Sequence, residues 1–467
     1  MIEHPPTSPV VVQPSRLDRR GFLRLGLAAV GVPTLGGVLA ACGGSQGGSL
    51  GAGQPTRSGS ASTQRVGQLV IATAATPWLD GYKAMLAEYQ QKTGIRMIAR
   101  EFPFDGLRTQ MINALQSGSA VFDVLQINEQ WVGEFYDHGW VKPLREIDPR
   151  FAPDPQLISY QGVGSWDPTS KVTDPEGTPY ALPINGNAHI YVYRKDLFDE
   201  LGLSVPSTFE QAIAAGRAAR SAKKAAYGYV TRGTNTVSFD LSPVLNGNGG
   251  DWFVEPGRDW TPRINDDIGV ASMETFLELL SLGPASPQTV DQAQVGAAVQ
   301  SGQALQGHMV AALGSQFEDP ASSRVAGKLG YAAVPAGTRR SAPASGTWVL
   351  GVPAKAEDAR AKAAYDFISW LVGKQAMTTW ATEHGGIVTR EDALRAAAGS
   401  DAGYLKVLAD ERDTVTAGFR YTFAAEMVNA IEPPLSRIVT GDAPVKRGLD
   451  EVARAMEQVV ADAGLAG

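Results

Sequence analysis

Tryptophan, amide and carboxylate side chains recur just after apolar segments that the sequence predicts to be strands. Trp78 follows the first such segment, and Asn128, Glu129 and Trp131 follow the third. Aromatic rings stack on flat apolar surfaces, and amides and carboxylates form paired hydrogen bonds with hydroxyl groups. This combination suits the non-covalent binding of a solute that has both an apolar face and hydroxyl groups. The alternative is that Trp131, with Phe135 four residues later, forms the buried face of a helix.

A second polar run lies where the apolar pattern is interrupted. Asn185, Asn187 and His189 alternate with small residues, and they suit either ligand contact or the turn of a hinge. The alternative for His189 is a structural imidazole. Further along, Arg232 and Asn235 follow a strand-like segment, where a guanidinium fork is able to bind vicinal hydroxyls. An ordinary surface arginine is the alternative there.

Trp252 closes a glycine-rich run that begins at Asn246. The run lacks the lysine of a phosphate-binding loop, and it does not open a helix after a strand. We therefore interpret it as a turn that presents Trp252 as a further candidate for ligand contact.

The sequence argues against catalysis and against a metal centre. It has no Gly-x-Ser-x-Gly elbow between a predicted strand and helix, no His-Glu-x-x-His motif, five scattered histidines and a single cysteine. We predict no cofactor, no metal and no catalytic residue. A secreted glycosidase with Glu129 and Asp80 as its carboxylates is the enzymatic alternative. The net charge of −7, from 48 acidic and 41 basic residues, disfavours nucleic acid as a partner.

The first segment has the layout of an export signal. Four arginines lie within Arg16–Arg24, and the apolar run Leu25–Leu39 follows them. That run is about fifteen residues long, short of the ~20 needed to span a membrane. Asp18–Arg24 resembles a twin-arginine signal, and a general secretory signal is the alternative.

A cysteine ends the apolar run at the position where lipoproteins are modified. Leu39–Cys42 resembles a lipobox, so we predict that residues 1–41 are removed and that Cys42 carries a lipid anchor. Residues 42–65 are rich in glycine and serine and predict a flexible tether. We expect an exported lipoprotein at the outer face of the cell membrane or its periplasmic side.

Apolar segments alternate with amphipathic ones along the rest of the chain. Leu69–Thr73, Ile95–Ala99 and Val121–Ile127 are strand-like, and the segments between them have helical spacing. The same alternation returns with Ile190–Tyr193 and Gly228–Val230. This βαβαβ order predicts an α/β fold in which helices cover both faces of a parallel sheet.

Several ordered segments resemble the extracellular solute-binding proteins of sugar-type ABC importers, the class of maltose-, glycerol-phosphate- and polyol-binding proteins. The resemblance covers nearly all of the chain after the tether. Its segments are Phe122–Asn128, Gly139–Leu144, Gly177–Pro183, Tyr193–Phe198, Gly346–Val352 and Ala363–Leu371. One departure is Val388, where relatives usually have proline, and it puts the shape of that loop in doubt.

The resemblance implies two Rossmann-like α/β lobes joined by a multi-crossing hinge, as in periplasmic binding proteins of type II. Lobe one would take residues 66–184 and about 309–345, and lobe two about 185–308 and 346–467. Ligand would lie in the cleft between them. Ser315 matches the place where relatives return to lobe one, and Trp348 matches an aromatic residue that often stacks on the ligand.

The implied function is capture of a carbohydrate or polyol by a monomer that delivers it, unaltered, to an ABC permease. Capture of a glycerol-phosphate-type solute by the same fold is an alternative. If Trp131 stacks on the ligand, its replacement by alanine should abolish ligand-induced stabilisation and leave the unliganded protein as stable as before. An equal loss of stability would identify its indole as core.

Overall fold

A computed structural model describes residues 66–118, 120–234, 236–398 and 403–465. The predicted signal peptide, Cys42, the predicted tether and Asn235 lie outside these residues. The strands are β1 Gln68–Ala74, β2 Arg96–Phe102, β3 Val124–Asn128, β4 Ser165–Asp167, β5 Val172–Thr173, β6 Thr178–Pro179, β7 Ala181–Asn185, β8 His189–Arg194, β9 Phe253–Glu255, β10 Asp259–Pro262, β11 Gln306–Val310, β12 Leu329–Ala332 and β13 Trp348–Gly351. The α-helices are α1 Leu79–Thr93, α2 Phe104–Gln116, α3 Glu129–Asp137, α4 Leu144–Ile147, α5 Lys195–Leu201, α6 Phe209–Ser221, α7 Val237–Gly247, α8 Asp267–Ser281, α9 Gln292–Gln300, α10 Gly314–Glu318, α11 Asp358–Leu371, α12 Lys374–His384, α13 Glu391–Ala397, α14 Gly403–Glu411, α15 Ala424–Val439 and α16 Val445–Asp462.

Local signals explain where several of these elements begin and end. Helix α1 ends at Gly94, whose left-handed φ of 73° closes a helix without a steric penalty. Helix α6 begins after Thr208, whose hydroxyl accepts a hydrogen bond from the N–H of Gln211. These helices, and strands β1, β2 and β3 beside them, lie where the sequence pattern predicts them.

The larger sheet has the strand order β2-β1-β3-β13-β7. Strand β1 pairs in parallel with β2 and β3, as the βαβαβ pattern predicts. Strand β13 runs antiparallel to both β3 and β7, so the sheet is mixed. One edge of this sheet therefore holds the carboxyl ends of β1, β3 and β7 together with the amino end of β13.

The second sheet is antiparallel, with β8 between β11 and β12. The chain leaves β7 at Asn185 and enters β8 at His189, within the segment predicted as a crossing. Its return differs from the expected one. Strand β12, from the range expected in lobe one, pairs with β8, whereas β13, from the range expected in lobe two, pairs with β3 and β7. These pairings join strands far apart in sequence, which local patterns do not encode.

The strand predicted at Gly228–Val230 is wrong. Tyr227 forms an isolated bridge with Ala304, and the N–H of Val230 donates to the carbonyl of Gln306 at 2.9 Å. The segment approaches helix α6 so closely that a Cβ atom on Gly228 would lie 2.4 Å from the carbonyl oxygen of Gly216. Residues 227–230 therefore lie beside β11 as extended chain, without the regular hydrogen bonding of a strand.

Two large apolar cores hold these sheets in place. The first includes β1, β3, α1, α11 and α12, and the second includes α7, α8, α15 and α16. Helices α11 and α12 follow each other directly and are separated only by Val372 and Gly373. In the part of the chain described here, no helix combines the length and apolar character needed to cross a bilayer.

Candidate binding site

The carboxyl ends of β3 and β7 meet the amino end of β13 at one edge of the larger sheet. Trp348, the first residue of β13, pairs with both Asn128 and Asn185. The Asn128 side chain caps α3 by accepting a hydrogen bond from the N–H of Gln130 at 3.1 Å. The buried Asn185 side chain has no hydrogen-bond partner among the described residues. Strand pairing thus brings three of the predicted site residues together.

Glu129, the first residue of α3, forms a buried ion pair. Nη2 of Arg420 lies 2.9 Å from its Oε2, and both side chains are only 2% exposed. The same oxygen accepts hydrogen bonds from the hydroxyl of Ser345 at 2.8 Å and the N–H of Thr347 at 3.2 Å. Burial raises the pKa of Glu129, and the Arg420 charge and these hydrogen bonds oppose the rise. Because three donors converge on one carboxylate oxygen, we treat the pair as ionised.

Arg420 also connects distant stretches of the chain. One of its terminal nitrogens donates to the carbonyl of Tyr160, whose hydroxyl donates to the carbonyl of Gly186 at 3.1 Å. Tyr160 and Gln161 have left-handed φ values of 41° and 60°, which non-glycine residues keep only where their surroundings hold them. The Gln161 side chain donates to the carbonyl of Val415 at 2.8 Å. This network therefore ties the crossing between β7 and β8 to the segment before α15.

An aromatic cluster of Trp78, Phe104, Trp131 and Trp348 lies beside this edge. The ring centroid of Trp348 lies 5.8 Å from that of Trp131, 5.7 Å from that of Phe104 and 6.2 Å from that of Trp78. The three tryptophans are buried, whereas Phe104 is 42% exposed. Phe135 is buried as well, so Trp131 has the environment that the packing alternative predicts.

A second polar cluster forms around Asp240 of α7. Nε of Arg232 lies 2.7 Å from one carboxylate oxygen of Asp240, and Nε2 of His189 lies 3.3 Å from the other. Burial favours a higher pKa for Asp240, but the charge of Arg232 and the hydrogen bond to His189 outweigh it and lower the pKa to about 2. The ring of Phe239 lies 4.3 Å from that of His189 and 5.0 Å from the Arg232 guanidinium.

His189, Asp240 and His308 place potential metal-ligand atoms within 4.8 Å of one another. Their donors and acceptors are already engaged. The hydroxyl of Tyr229 donates to Nδ1 of His308 at 2.7 Å, and Nε2 of His308 donates to the main-chain oxygen of Asp240 at 2.9 Å. Arg232 provides the positive charge beside the carboxylate. We therefore interpret the cluster as a hydrogen-bonded network that holds β8, β11 and α7 together.

We expect this network to make the protein sensitive to acid. Burial lowers the pKa of His308 to about 4, and the nearby His189 acts in the same direction. The unfolded chain, with an ordinary histidine pKa near ~6.5, binds more protons than the folded chain between pH 4 and 6.5. The contribution of His308 to the free energy of unfolding is therefore complete above about pH 6.5. It falls by about 3 kcal/mol as the pH is lowered to 4.

Urea unfolding across that pH range measures the effect. His308→Asn should reduce the dependence of unfolding free energy on pH, because its titrating group is gone and only His189, whose pKa burial also lowers, remains in the network. His138→Gln is the matched control, since His138 is exposed and should leave the dependence as it is in the parent protein. An unchanged slope in His308→Asn would contradict the assignment.

A cavity of about 410 Å³ adjoins the Glu129–Arg420 pair, and we name it the Arg420 cavity. Its volume lies within the range of small-molecule sites. Its lining combines rings, amides and charges, including Gln130, Phe239, Asn246, Asp251, Trp252, Arg340, Ala344, Gly418, Phe419 and Arg420. Trp252 is fixed there, because its indole N–H donates to Ser242 at 3.1 Å and its ring lies 5.2 Å from that of Phe419. At Gly418 a Cβ atom would lie 2.4 Å from Oε1 of Glu129, so the close approach requires glycine.

Another cavity, of about 380 Å³, lies between α3, α15 and α16. Its lining includes Glu134, Glu426 and Asp462, and Arg108 bonds both glutamates. None of the predicted site residues that the structure describes lines it. We therefore place the candidate binding site at the Arg420 cavity.

The predicted residues lie in several places. Among those that the structure describes, Trp252 alone lines the Arg420 cavity. Asn187 accepts a hydrogen bond from the N–H of Ala312 at 3.1 Å, which is a structural role. Ser315 lies on α10, where a Cβ atom added to Gly385 would come within 2.9 Å of its own Cβ, and it is not in the cavity lining. The rest lie in the three groups already described: the sheet edge, the aromatic cluster and the Asp240 network.

Several residues that the structure places at the cavity or in the neighbouring clusters were not singled out from the sequence. These are Phe104, Gln130, Phe239, Asp240, Asn246, Phe419 and Arg420. One signal pointed towards Arg420, because a glutamate directly after a buried strand needs a positive partner. That signal does not identify which of the 41 basic residues supplies it. Asp240 and Phe239 fall in a helix whose pattern is typical of packing, and they gave no signal.

The profile of the bacterial extracellular solute-binding protein family matches residues 75–378, more than half of the chain. The chain belongs to this family. The predicted family and fold class are therefore confirmed, and the two sheets are those of a solute-binding protein.

Two curated relatives of this solute-binding protein have named ligands. An erythritol/L-threitol-binding protein from Mycolicibacterium smegmatis is 24% identical over 386 residues, which is 78% of this chain and 79% of the relative. A mannitol-binding protein from Pseudomonas aeruginosa is 26% identical over 304 residues, which is 63% of this chain and 66% of the relative.

Solved structures share the fold of this solute-binding protein. A solute-binding protein from Agrobacterium radiobacter in complex with ribitol has a TM-score of 0.72 at 22% identity, covering 84% of this chain and 98% of its own. One from Agrobacterium vitis with bound D-mannitol has a TM-score of 0.69 at 22% identity, covering 85% and 99%. A maltose-bound protein from T. maritima has a TM-score of 0.72 at 19% identity, covering 84% and 99%.

Proposed function

We propose that this solute-binding protein captures a sugar or polyol in the Arg420 cavity and delivers it to an ABC permease. The observation that carries the proposal is the lining of that cavity. Phe239, which is partly exposed, offers an aromatic ring, and Gln130 and Asn246 offer amides, which together suit a hydroxylated solute. The relatives that bind erythritol, threitol and mannitol support the same ligand class.

The proposed mechanism is closure of two lobes around the ligand. Gln130 belongs to α3, which begins directly after strand β3 of the larger sheet. Phe239 lies within α7 and Trp252 lies after it, and the buried aliphatic residues of α7 belong to the second core. A ligand that contacts both groups stabilises the closed arrangement, because only that arrangement offers all of its contacts at once. Trp131 and Trp348 remain proposed ligand contacts as members of the aromatic cluster. Phe104 is the ring of that cluster that solvent reaches.

Binding without chemistry is part of the proposal. Glu129, the carboxylate considered for a glycosidase, is fully buried and bonded to Arg420, Ser345 and Thr347. A general acid or base must reach the proton that it transfers. The pairing of Glu129 therefore favours a binding protein over a hydrolase.

The remaining parts of the proposal concern the cell. We propose that the protein is exported, that it is anchored as a lipoprotein through Cys42 and the tether of residues 42–65, and that it acts as a monomer. Growth of the expressing cells with a labelled fatty acid tests the anchor. The label should be found in the purified protein and should be absent from the Cys42→Ser variant.

A thermal-shift screen of sugars and alditols tests the ligand class. A ligand at about 1,000 times its Kd should stabilise the protein by roughly 4 kcal/mol. Gln130→Ala should reduce that stabilisation by about 1 kcal/mol, the value of one hydrogen bond. Gln156→Ala, at an exposed site outside the cavity lining, is the matched control. The absence of a shift with every sugar and alditol would refute the proposal.

A further inference from the structure

The charges around the Arg420 cavity are balanced. Four of its lining residues are charged, namely Asp251, Arg340, Asp413 and Arg420, which makes two positive and two negative. The charge of Arg420 is offset from behind, because Glu129 binds its guanidinium at 2.9 Å. A ligand in the cavity therefore meets no surplus of positive charge.

The arrangement differs from what an anionic ligand requires. A carboxylate or phosphate loses its hydration on entering a site, and it needs uncompensated positive charge in return. Arg340 is the remaining cation, and it is exposed and close enough to Asp251 to influence that carboxylate. Asp413, also at the lining, is 83% exposed and lies 3.6 Å from Arg412, so it adds no positive charge there.

We infer that the Arg420 cavity selects uncharged polyhydroxy ligands and rejects their acidic or phosphorylated counterparts, and that the Glu129–Arg420 pair sets this selectivity. The inference rests on the proposed function. In it, the pair brings no net charge to the cavity wall, because the Arg420 side chain is 2% exposed and donates only to protein groups, and Glu129 acts as a positioning residue that neutralises it. Glycerol phosphates and sugar acids are thereby excluded as the physiological ligand class.

The test compares matched neutral and anionic ligands by calorimetry on the full chain. Ribitol is paired with ribonate, mannitol with mannonate, and glycerol with glycerol 3-phosphate. In the parent protein we expect the best neutral ligand to bind at least about tenfold more tightly than its acidic partner, because the anion loses its hydration and finds no uncompensated positive charge. Equal or tighter binding of the anionic partner overturns the inference and leaves solute binding intact, whereas failure of every compound to bind refutes the proposed function itself.

Two variants assign the selectivity to named charges. Glu129→Gln removes the neutralising charge and should shift the affinity ratio towards the anion by roughly tenfold. Arg340→Gln should shift it the opposite way, and Arg339→Gln, exposed but outside the cavity lining, should leave it unchanged. If Glu129→Gln does not fold, two other measurements test the inference. They are the neutral-to-anionic affinity ratio of the parent protein and the direction in which Arg340→Gln changes that ratio. A ratio that does not respond to either charge overturns the assignment.

Discussion

Arg420→Met should lower the free energy of unfolding by about 3–5 kcal/mol, because it leaves the carboxylate of Glu129 buried without its cation. The substitution also removes the donor to the Tyr160 carbonyl and the 2.9 Å hydrogen bond to Ser345. Urea denaturation of the unliganded protein measures the loss. A fall of less than about 1 kcal/mol would mean that the pair is not buried in solution.

The double variant Glu129→Gln/Arg420→Met separates the lost charge pairing from the lost packing. Removing both charges leaves no buried carboxylate without a partner, so the double variant should be more stable than Arg420→Met alone. If the losses from the two single variants simply add, the two side chains do not interact and the buried pair is refuted. Arg340→Met is the matched control, since that arginine is exposed and its loss should change stability by less than about 0.5 kcal/mol.

Trp131→Ala should cost about 3–5 kcal/mol of stability, as expected for a buried aromatic side chain cut back to a methyl group. Trp131 is only 4% exposed, and its ring lies 5.0 Å from Phe104 and 5.8 Å from Trp348. The loss follows from the cavity left among these rings. This expectation reverses the sequence-based one, in which the unliganded protein keeps its stability.

Two comparisons distinguish packing from ligand contact at this position. Trp131→Phe should recover most of the lost stability, because it keeps a ring in the cluster. Phe104→Ala should cost much less than Trp131→Ala, since Phe104 is 42% exposed. A stable Trp131→Ala protein that no longer responds to ligand would instead establish Trp131 as a binding residue. Unfolding with and without the best ligand of the screen gives both quantities.

Local patterns predicted the elements and not the pairing of the later strands. The first three strands and their helices follow from apolar spacing, and the crossing at Asn185–His189 follows from its polar, glycine-containing run. The position of β13 between β3 and β7 depends on contacts over more than a hundred residues. Nothing in the segment Trp348–Gly351 distinguishes one sheet from the other, so the return to the larger sheet was misplaced.

The candidate binding site was predictable in the type of its residues and not in which residues form it. Rings and amides after strands indicated a site for a hydroxylated solute, and Trp252 does line the Arg420 cavity. Arg420 lies 291 residues from Glu129 in sequence, and an arginine carries no local mark of burial. The need for glycine at position 418 depends on the same ion pair, so it too becomes visible only in three dimensions.

The position of β13 also has a consequence for synthesis. Strand β13 lies between β3 and β7 and pairs with both. A nascent chain on the ribosome therefore cannot join β3 to β7 until about three quarters of the protein has emerged. The residues around Arg420 emerge later still. On the proposed function, a growing chain is therefore unable to bind solute. Truncated chains that stop before β13 should be digested readily by protease, whereas full-length chains should resist it.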